Sequence, residues 1–168
     1  MSEQEVFRSF AIKYPFLLPQ LLTTVHVMHG SKETEEMALW DTGATVTCIS
    51  TSLAEDLALV PTGMRDIKTP SGSKTVNTYL VNIRLPNNVT AENVEVCDSD
   101  IGEQGLGVLI GMNIIMQGDF SVSNFNGKTS FTFRIPSKRD ANFTKEDKLA
   151  DFLGLKHGSG KRKKKKKH

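Results

Sequence analysis

MALWDTGATVTCIS, residues 37–50, is the stretch on which the fold turns. Met37 to Trp40 form an apolar approach, the chain then turns at Asp41-Thr42-Gly43, and Thr45, Val46 and Thr47 resume with β-branched residues. An apolar strand running into an acidic turn and out into a second β segment presents Asp41 at a strand end. Gly43 lets the backbone come close to a partner, and the Thr42 hydroxyl is able to hold the loop by a hydrogen bond. The tripeptide by itself also fits an ordinary β-turn whose Asp caps nearby amides. Its setting between two β segments is what favours a presented carboxylate.

Upstream, LLTTVHVMHG and ETEEMALWDTG are β-rich stretches on either side of Gly30-Ser31-Lys32, which predicts a hairpin. Residues 1–18 mix Phe7, Phe10, Tyr14, Phe16 and Leu17 with charges and Pro15, and read as an arm packing on the domain. Downstream, Ser52 and Glu55 fit a capping box ahead of Leu57 and Leu59, so a short helix is expected there. Strand pattern returns from Ile67 to Val96, with turns at residues 69–73 and 86–88. Tyr79, Val81, Ile83 and Leu85 share one face.

Farther on, Val108 to Ile110 form an apolar strand that breaks at Gly111, followed by a brief helix over Met112 to Gln117. Segments Phe120 to Phe125 and Lys128 to Ile135 flank Asn126-Gly127, the pair favoured in a two-residue type I′ turn. Beyond Pro136, Leu149, Phe152 and Leu153 have helical spacing that ends near Gly154.

Asp98-Ser99-Asp100 offers another pair of carboxylates but lacks the glycine and the apolar approach, and reads as a solvated loop. The four histidines show no metal-ligand spacing, so neither metal nor cofactor is expected. Cys48 and Cys97 are the only cysteines, which suits a reducing compartment and supplies no disulfide framework. Cys48, with no histidine to activate it, reads as a small buried hydrophobe.

Composition narrows the class. The chain has 168 residues, 38% of them hydrophobic, enough for one core. Of its 21 basic residues, seven lie in the run Lys161 to Lys167, which leaves the rest with 14 against 19 acidic residues. Any attraction to anionic partners therefore belongs to that tail, as weak nonspecific contacts. Gly158-Ser159-Gly160-Lys161 is followed by Arg162 where a phosphate loop needs Ser or Thr. The first residues lack a secretory pattern and no apolar run reaches the ~20 residues of a membrane span, so a cytoplasmic protein is expected.

The run Ala38 to Thr45 resembles the active-site motif of retropepsin-like aspartic proteases, and Val108 to Ile115 resembles that family's second signature. The resemblance covers roughly Leu21 to Pro136. It is closer to cellular, bacterial-type members than to viral ones, because Met112 and Asn113 follow Gly111 where the viral enzymes carry Arg. It implies an all-β, single-lobe acid protease fold with one or two short helices. It also implies an aspartic endopeptidase acting on polypeptides, with Asp41 catalytic and Thr42, Gly43 and Ala44 completing the active-site loop. Pro70, Ser71, Gly72 and Ser73 become the tip of a flap over the substrate, and Ile110, Gly111 and Asn113 the supporting strand and helix. Two-lobed relatives carry two such motifs and this chain carries one, so the second carboxylate is expected from a second copy, in a homodimer. A non-catalytic dimeric module that holds extended peptides on the same fold is the alternative. The expected organisation is an arm at 1–18, the protease domain at 19–137, a helical extension at 138–156 and a disordered polybasic tail at 157–168.

Overall fold

Period-two alternation dominates the chain because one face of most strands is buried. In β2 (Leu22–His29), Val25 and Val27 point inward, and in β6 (Gly72–Arg84) Tyr79, Val81 and Ile83 do so, continued by Leu85 just beyond the strand. The structure is a computed structural model that describes residues 8–69 and 72–154. The expected flap residues Pro70 and Ser71 lie outside the described residues, as do the start of the arm and the polybasic tail.

The remaining strands are β1 (Arg8–Lys13), β3 (Lys32–Trp40), β4 (Thr47–Ser50), β5 (Gly63–Thr69), β7 (Thr90–Ser99), β8 (Val108–Ile110), β9 (Asp119–Ser123) and β10 (Ser130–Ile135). Seven of them pair in the order β2-β3-β8-β4-β7-β6-β5, and β2 also pairs with β6. That last pairing closes six strands into a barrel and leaves β5 outside it. β6 makes this arrangement work by changing partners along one edge. Gly72 to Thr78 pair with β5, and Asn82 to Arg84 pair with β2.

The other three strands form a sheet ordered β1-β10-β9. Alternation in β10 sends Phe131 and Phe133 inward, both fully buried. There they meet Trp40, with ring centroids 5.0 Å away in each case, and Phe10 and Phe120 complete the cluster. Trp40 is itself buried, and its indole N–H donates to Thr23 Oγ1 at 2.9 Å. The last strand before the acidic turn is thus anchored by an aromatic core and by a satisfied polar handle.

Several local expectations shift. The first helix, α1 (Thr51–Asp56), is capped by Ser50 rather than Ser52: Ser50 Oγ accepts from Leu53 N at 3.2 Å. Strand β4 ends directly at the helix, so the last strand residue has the extended backbone that a cap requires. The β2–β3 turn is two residues long, Gly30-Ser31, with Gly30 at φ +58°. Asn126 and Gly127 both take positive φ, as a type I′ turn demands. The ladder nevertheless stops at Ser123 and Ser130. The reason is Thr129, which leaves the hairpin to bond the segment before β2: its carbonyl accepts from Tyr14 N and its hydroxyl from Leu18 N. The brief helix α2 spans Met112–Ile115.

The chain divides between Lys138 and Arg139 into two compact units. The second holds α3 (Phe143–Phe152), capped by Asn142, whose side chain accepts from Lys145 N. Among the described residues no helix is long and apolar enough to cross a membrane.

Candidate active site

Asp41 follows β3 directly, and its position is set by its neighbours in the parallel ladder. Trp40 pairs with Ile110, and Asp41 N donates to the Ile110 carbonyl at 2.9 Å. The chain then folds back on itself: Gly43 N donates to Asp41 Oδ1 at 2.8 Å, and Ala44 N to the Asp41 carbonyl at 3.3 Å. A Cβ on Gly43 would stand 3.1 Å from Asp41 Oδ1 and crowd that carboxylate oxygen. Asp41 is half-buried and Thr42 is exposed.

The loop is held from behind by the turn after β8. Met112 N donates to the Ala44 carbonyl at 2.8 Å. A Cβ on Gly111 would lie 2.6 Å from the carbonyl carbon of Val46 and 2.8 Å from Thr47 N. Those are backbone atoms with nowhere to go, so the two signatures fit together only because residue 111 has no side chain.

Thr47, fully buried, is the hub of this contact. Its hydroxyl donates to Asn113 Oδ1 at 2.7 Å and accepts from Gly111 N at 3.1 Å, while its own N–H donates to Asn113 Oδ1 at 2.9 Å. Asn113 completes the network by donating from Nδ2 to the Glu95 carbonyl at 3.0 Å. An amide is needed at 113 because one side chain must accept on one side and donate on the other. Among the described residues no buried side-chain nitrogen or oxygen lacks a partner.

The bracing hydroxyl within one chain is therefore that of Thr47, and Thr42 makes no hydrogen bond among the described residues. Nothing local in TVTC distinguishes Thr47 from any other β-branched strand residue. Its role arises from contact with residues 111–113, far along the sequence.

Beside Asp41 opens a cleft of about 430 Å³, lined by Leu21, Leu39, Trp40, Thr42, Phe120 and Val122 among others. Trp40 is thus both core and cleft wall. Gly72 and Ser73 do not line this cleft. With Lys74, Asp98 and Ser99 they border a separate depression of about 260 Å³ toward the tip of the β5–β6 hairpin.

Asp98 is not in a solvated loop, contrary to the expectation for Asp98-Ser99-Asp100. It is the penultimate residue of β7, half-buried, and accepts from Asn77 N at 3.0 Å, Asn77 Nδ2 at 3.1 Å and the Tyr79 hydroxyl at 3.3 Å. In-register pairing of β7 with β6 brings those donors to it, and sequence alone does not show that pairing. Burial, and then the nearby Asp98 charge, push the Tyr79 hydroxyl above its usual pKa. Among the described residues no cluster of three or more His, Cys, Asp or Glu side chains is arranged to hold a metal ion.

The family described as "gag-polyprotein putative aspartyl protease" matches residues 31–117, which include both signatures. The chain belongs to that family. It is a retropepsin-like enzyme of the aspartic endopeptidase class. A retropepsin-like aspartic protease from Rickettsia conorii shares the fold at a TM-score of 0.52 and 12% identity, over 80% of this chain and 99% of that one. The simian foamy virus protease aligns at a TM-score of 0.42 and 26% identity, over 55% of this chain and 89% of the viral one. EIAV protease, solved with the inhibitor HBY-793, aligns at a TM-score of 0.48 and 19% identity, over 59% of this chain and 88% of that one. A search of curated proteins returns no match.

Proposed function

We propose that the protein cleaves polypeptides with a water molecule activated between two Asp41 carboxylates, one from each of two copies related by a twofold axis. One observation carries this reading. A single half-buried Asp41, on a loop locked against the Gly111 turn, stands at the mouth of an apolar cleft, and among the described residues its Oδ2 has no hydrogen-bond partner. Two carboxylates brought face to face cannot both ionise comfortably and hold one proton between them. One then acts as general base on the water while the other donates a hydrogen bond to the scissile carbonyl.

In this reading Gly43 and Ala44 shape the loop, and the exposed Thr42 hydroxyl is free to bond the second copy across the axis. Ile110, Gly111 and Asn113 keep the loop rigid. Pro70, Ser71, Gly72 and Ser73 form the flap that closes over an extended substrate. A twofold dimer is also the simplest closed assembly that places one surface patch against its own copy. The Lys161 to Lys167 run adds weak, salt-sensitive contacts with anionic surfaces.

The test is the Asp41→Asn variant, assayed on a library of unstructured peptides alongside sedimentation of the wild type. Hydrolysis should fall by about 10²–10⁴-fold or more, and the wild type should sediment as a dimer. A variant cleaving at the wild-type rate overturns the proposal, as does a strictly monomeric active enzyme. Peptide binding without turnover in the wild type identifies a non-catalytic module instead.

A further inference from the structure

The two cysteines, 49 residues apart in sequence, are neighbours in space. Cys48 and Cys97 pair in register across the parallel strands β4 and β7, and their sulfurs lie 3.1 Å apart. Adjacent strands run ~4.8 Å apart, which falls within the Cα separation that a disulfide spans, ~4.4–6.8 Å. Bringing the sulfurs to bonding distance therefore needs side-chain rotation and no rearrangement of the sheet. Both thiols are free; Cys97 is buried and Cys48 is half-exposed, which gives a small oxidant a route to the pair. We propose that Cys48 and Cys97 form a redox-modification site, a dithiol that hydrogen peroxide converts to an intramolecular disulfide.

The electrostatics agree with that chemistry. The sulfurs share a hydrogen bond, which holds the Cys97 thiol below its ordinary pKa. The same bond, then burial and the negative charges of Cys97, Asp41 and Asp98, push Cys48 up. The thiolate of either cysteine attacks one peroxide oxygen, the O–O bond breaks, and hydroxide leaves, taking up a proton to become water and leaving a sulfenic acid on that cysteine. The other sulfur then attacks the sulfenic sulfur, the S–O bond breaks, and the departing hydroxide takes the second thiol's proton as a second water. Two thiols and one peroxide yield one disulfide and two waters, with the two electrons passing from sulfur to oxygen.

The location gives the bond a mechanical consequence. β4 contains Thr47, which braces the Asp41 loop through Gly111 and Asn113. Asp98, the next-to-last residue of β7, holds Asn77 and Tyr79 of the strand leading from the hairpin tip. A disulfide clamps those two supports together and closes a long loop in the unfolded chain, which raises thermal stability.

The experiment uses the full chain, reduced, freed of reductant and treated with a small excess of hydrogen peroxide. Intact mass should fall by two hydrogens, and digestion without reductant should yield one cross-linked species joining the Cys48 and Cys97 peptides. The melting temperature should rise and return to its starting value with dithiothreitol, while Cys48→Ser and Cys97→Ser should show neither change. An unchanged mass, oxygen added to Cys48 without cross-linking, or a disulfide joining two copies overturns the site. A cross-link that leaves the melting temperature unmoved overturns the clamp.

Discussion

The loop at Asp41 and the hairpin that ends at Gly72 are both turns between strands, but opposite physics holds them. The Asp41 loop is gripped from below. Thr47 is fully buried, three hydrogen bonds converge on its N–H and hydroxyl, and the Gly111 turn presses against the backbone of Val46 and Thr47. Strand β5 of the hairpin lies at the end of the sheet order, paired only with β6, and Met64 on it is 75% exposed. Rigidity is concentrated where a carboxylate must be held in position. The hairpin has fewer buried contacts to lose when it moves, as the proposed flap requires.

The strongest way to break this contrast is at Gly111. Gly111→Ala drives a methyl into the backbone at Val46, so we expect a loss of stability of ~3 kcal/mol, together with loss of peptide hydrolysis. Denaturant titration and a peptide-cleavage assay measure the two effects. If neither changes, the loop does not depend on that contact.

Thr47→Val comes next. It keeps the volume but strands Gly111 N and part of Asn113, at a cost of ~1–3 kcal/mol by denaturant titration. Thr47→Ser keeps the hydroxyl and should recover much of that loss. A valine variant as stable as wild type would show the network to be dispensable.

A pH experiment sharpens the contrast further, because the Thr47 network contains no titratable group. Asp119 does titrate: it accepts from Ser137 Oγ, Lys138 N and Arg134, and these bonds, in that order, hold its carboxyl well below the ordinary 3.8. A carboxylate with a depressed folded pKa stabilises the protein above its unfolded pKa, and that contribution disappears as pH falls through the folded value. Asp119→Asn should therefore lower the melting temperature at neutral and mildly acid pH, with the difference from wild type shrinking only below pH 3.8. A gap that is the same at every pH would assign the effect to packing.

The smallest change is expected on the hairpin. Met64→Ser should alter stability by no more than ~0.5 kcal/mol, and amide exchange should be faster in residues 63–69 than in 47–50. Equal protection in the two segments would erase the distinction between them.

Much of this architecture is legible in the sequence, and the legible part is local. The alternation Tyr79-Val81-Ile83-Leu85 shows which side of a strand is buried, and the apolar approach to Asp41 and the break at Gly111 carry the family resemblance. What escapes is set by register between distant segments. Thr47 becomes a hub because β4 lies beside β8. Asp98 becomes an acceptor because β7 lies beside β6, and Cys48 meets Cys97 because two parallel strands align at those residues. The Ser50 cap is a smaller case: two serines two positions apart are equivalent as letters, and only where β4 ends decides between them.

Strand β6 serves two masters, and Thr78 is where it passes from one to the other. Thr78 is buried, faces Gly63 on β5 and Cys97 on β7, and its carbonyl accepts from Thr62 N at 2.8 Å. Mechanically it is a fulcrum. The arm from Gly72 to Thr78 is about 20 Å long at ~3.3 Å per residue, so a bend of about 10° there displaces the hairpin tip by roughly 3.5 Å. Such a motion leaves the ladder beyond Thr78 in register and works instead against the side-chain bonds that tie the arm to its neighbours, Asn77 to Asp98 beside the pivot and Lys74 to Asp100 farther out.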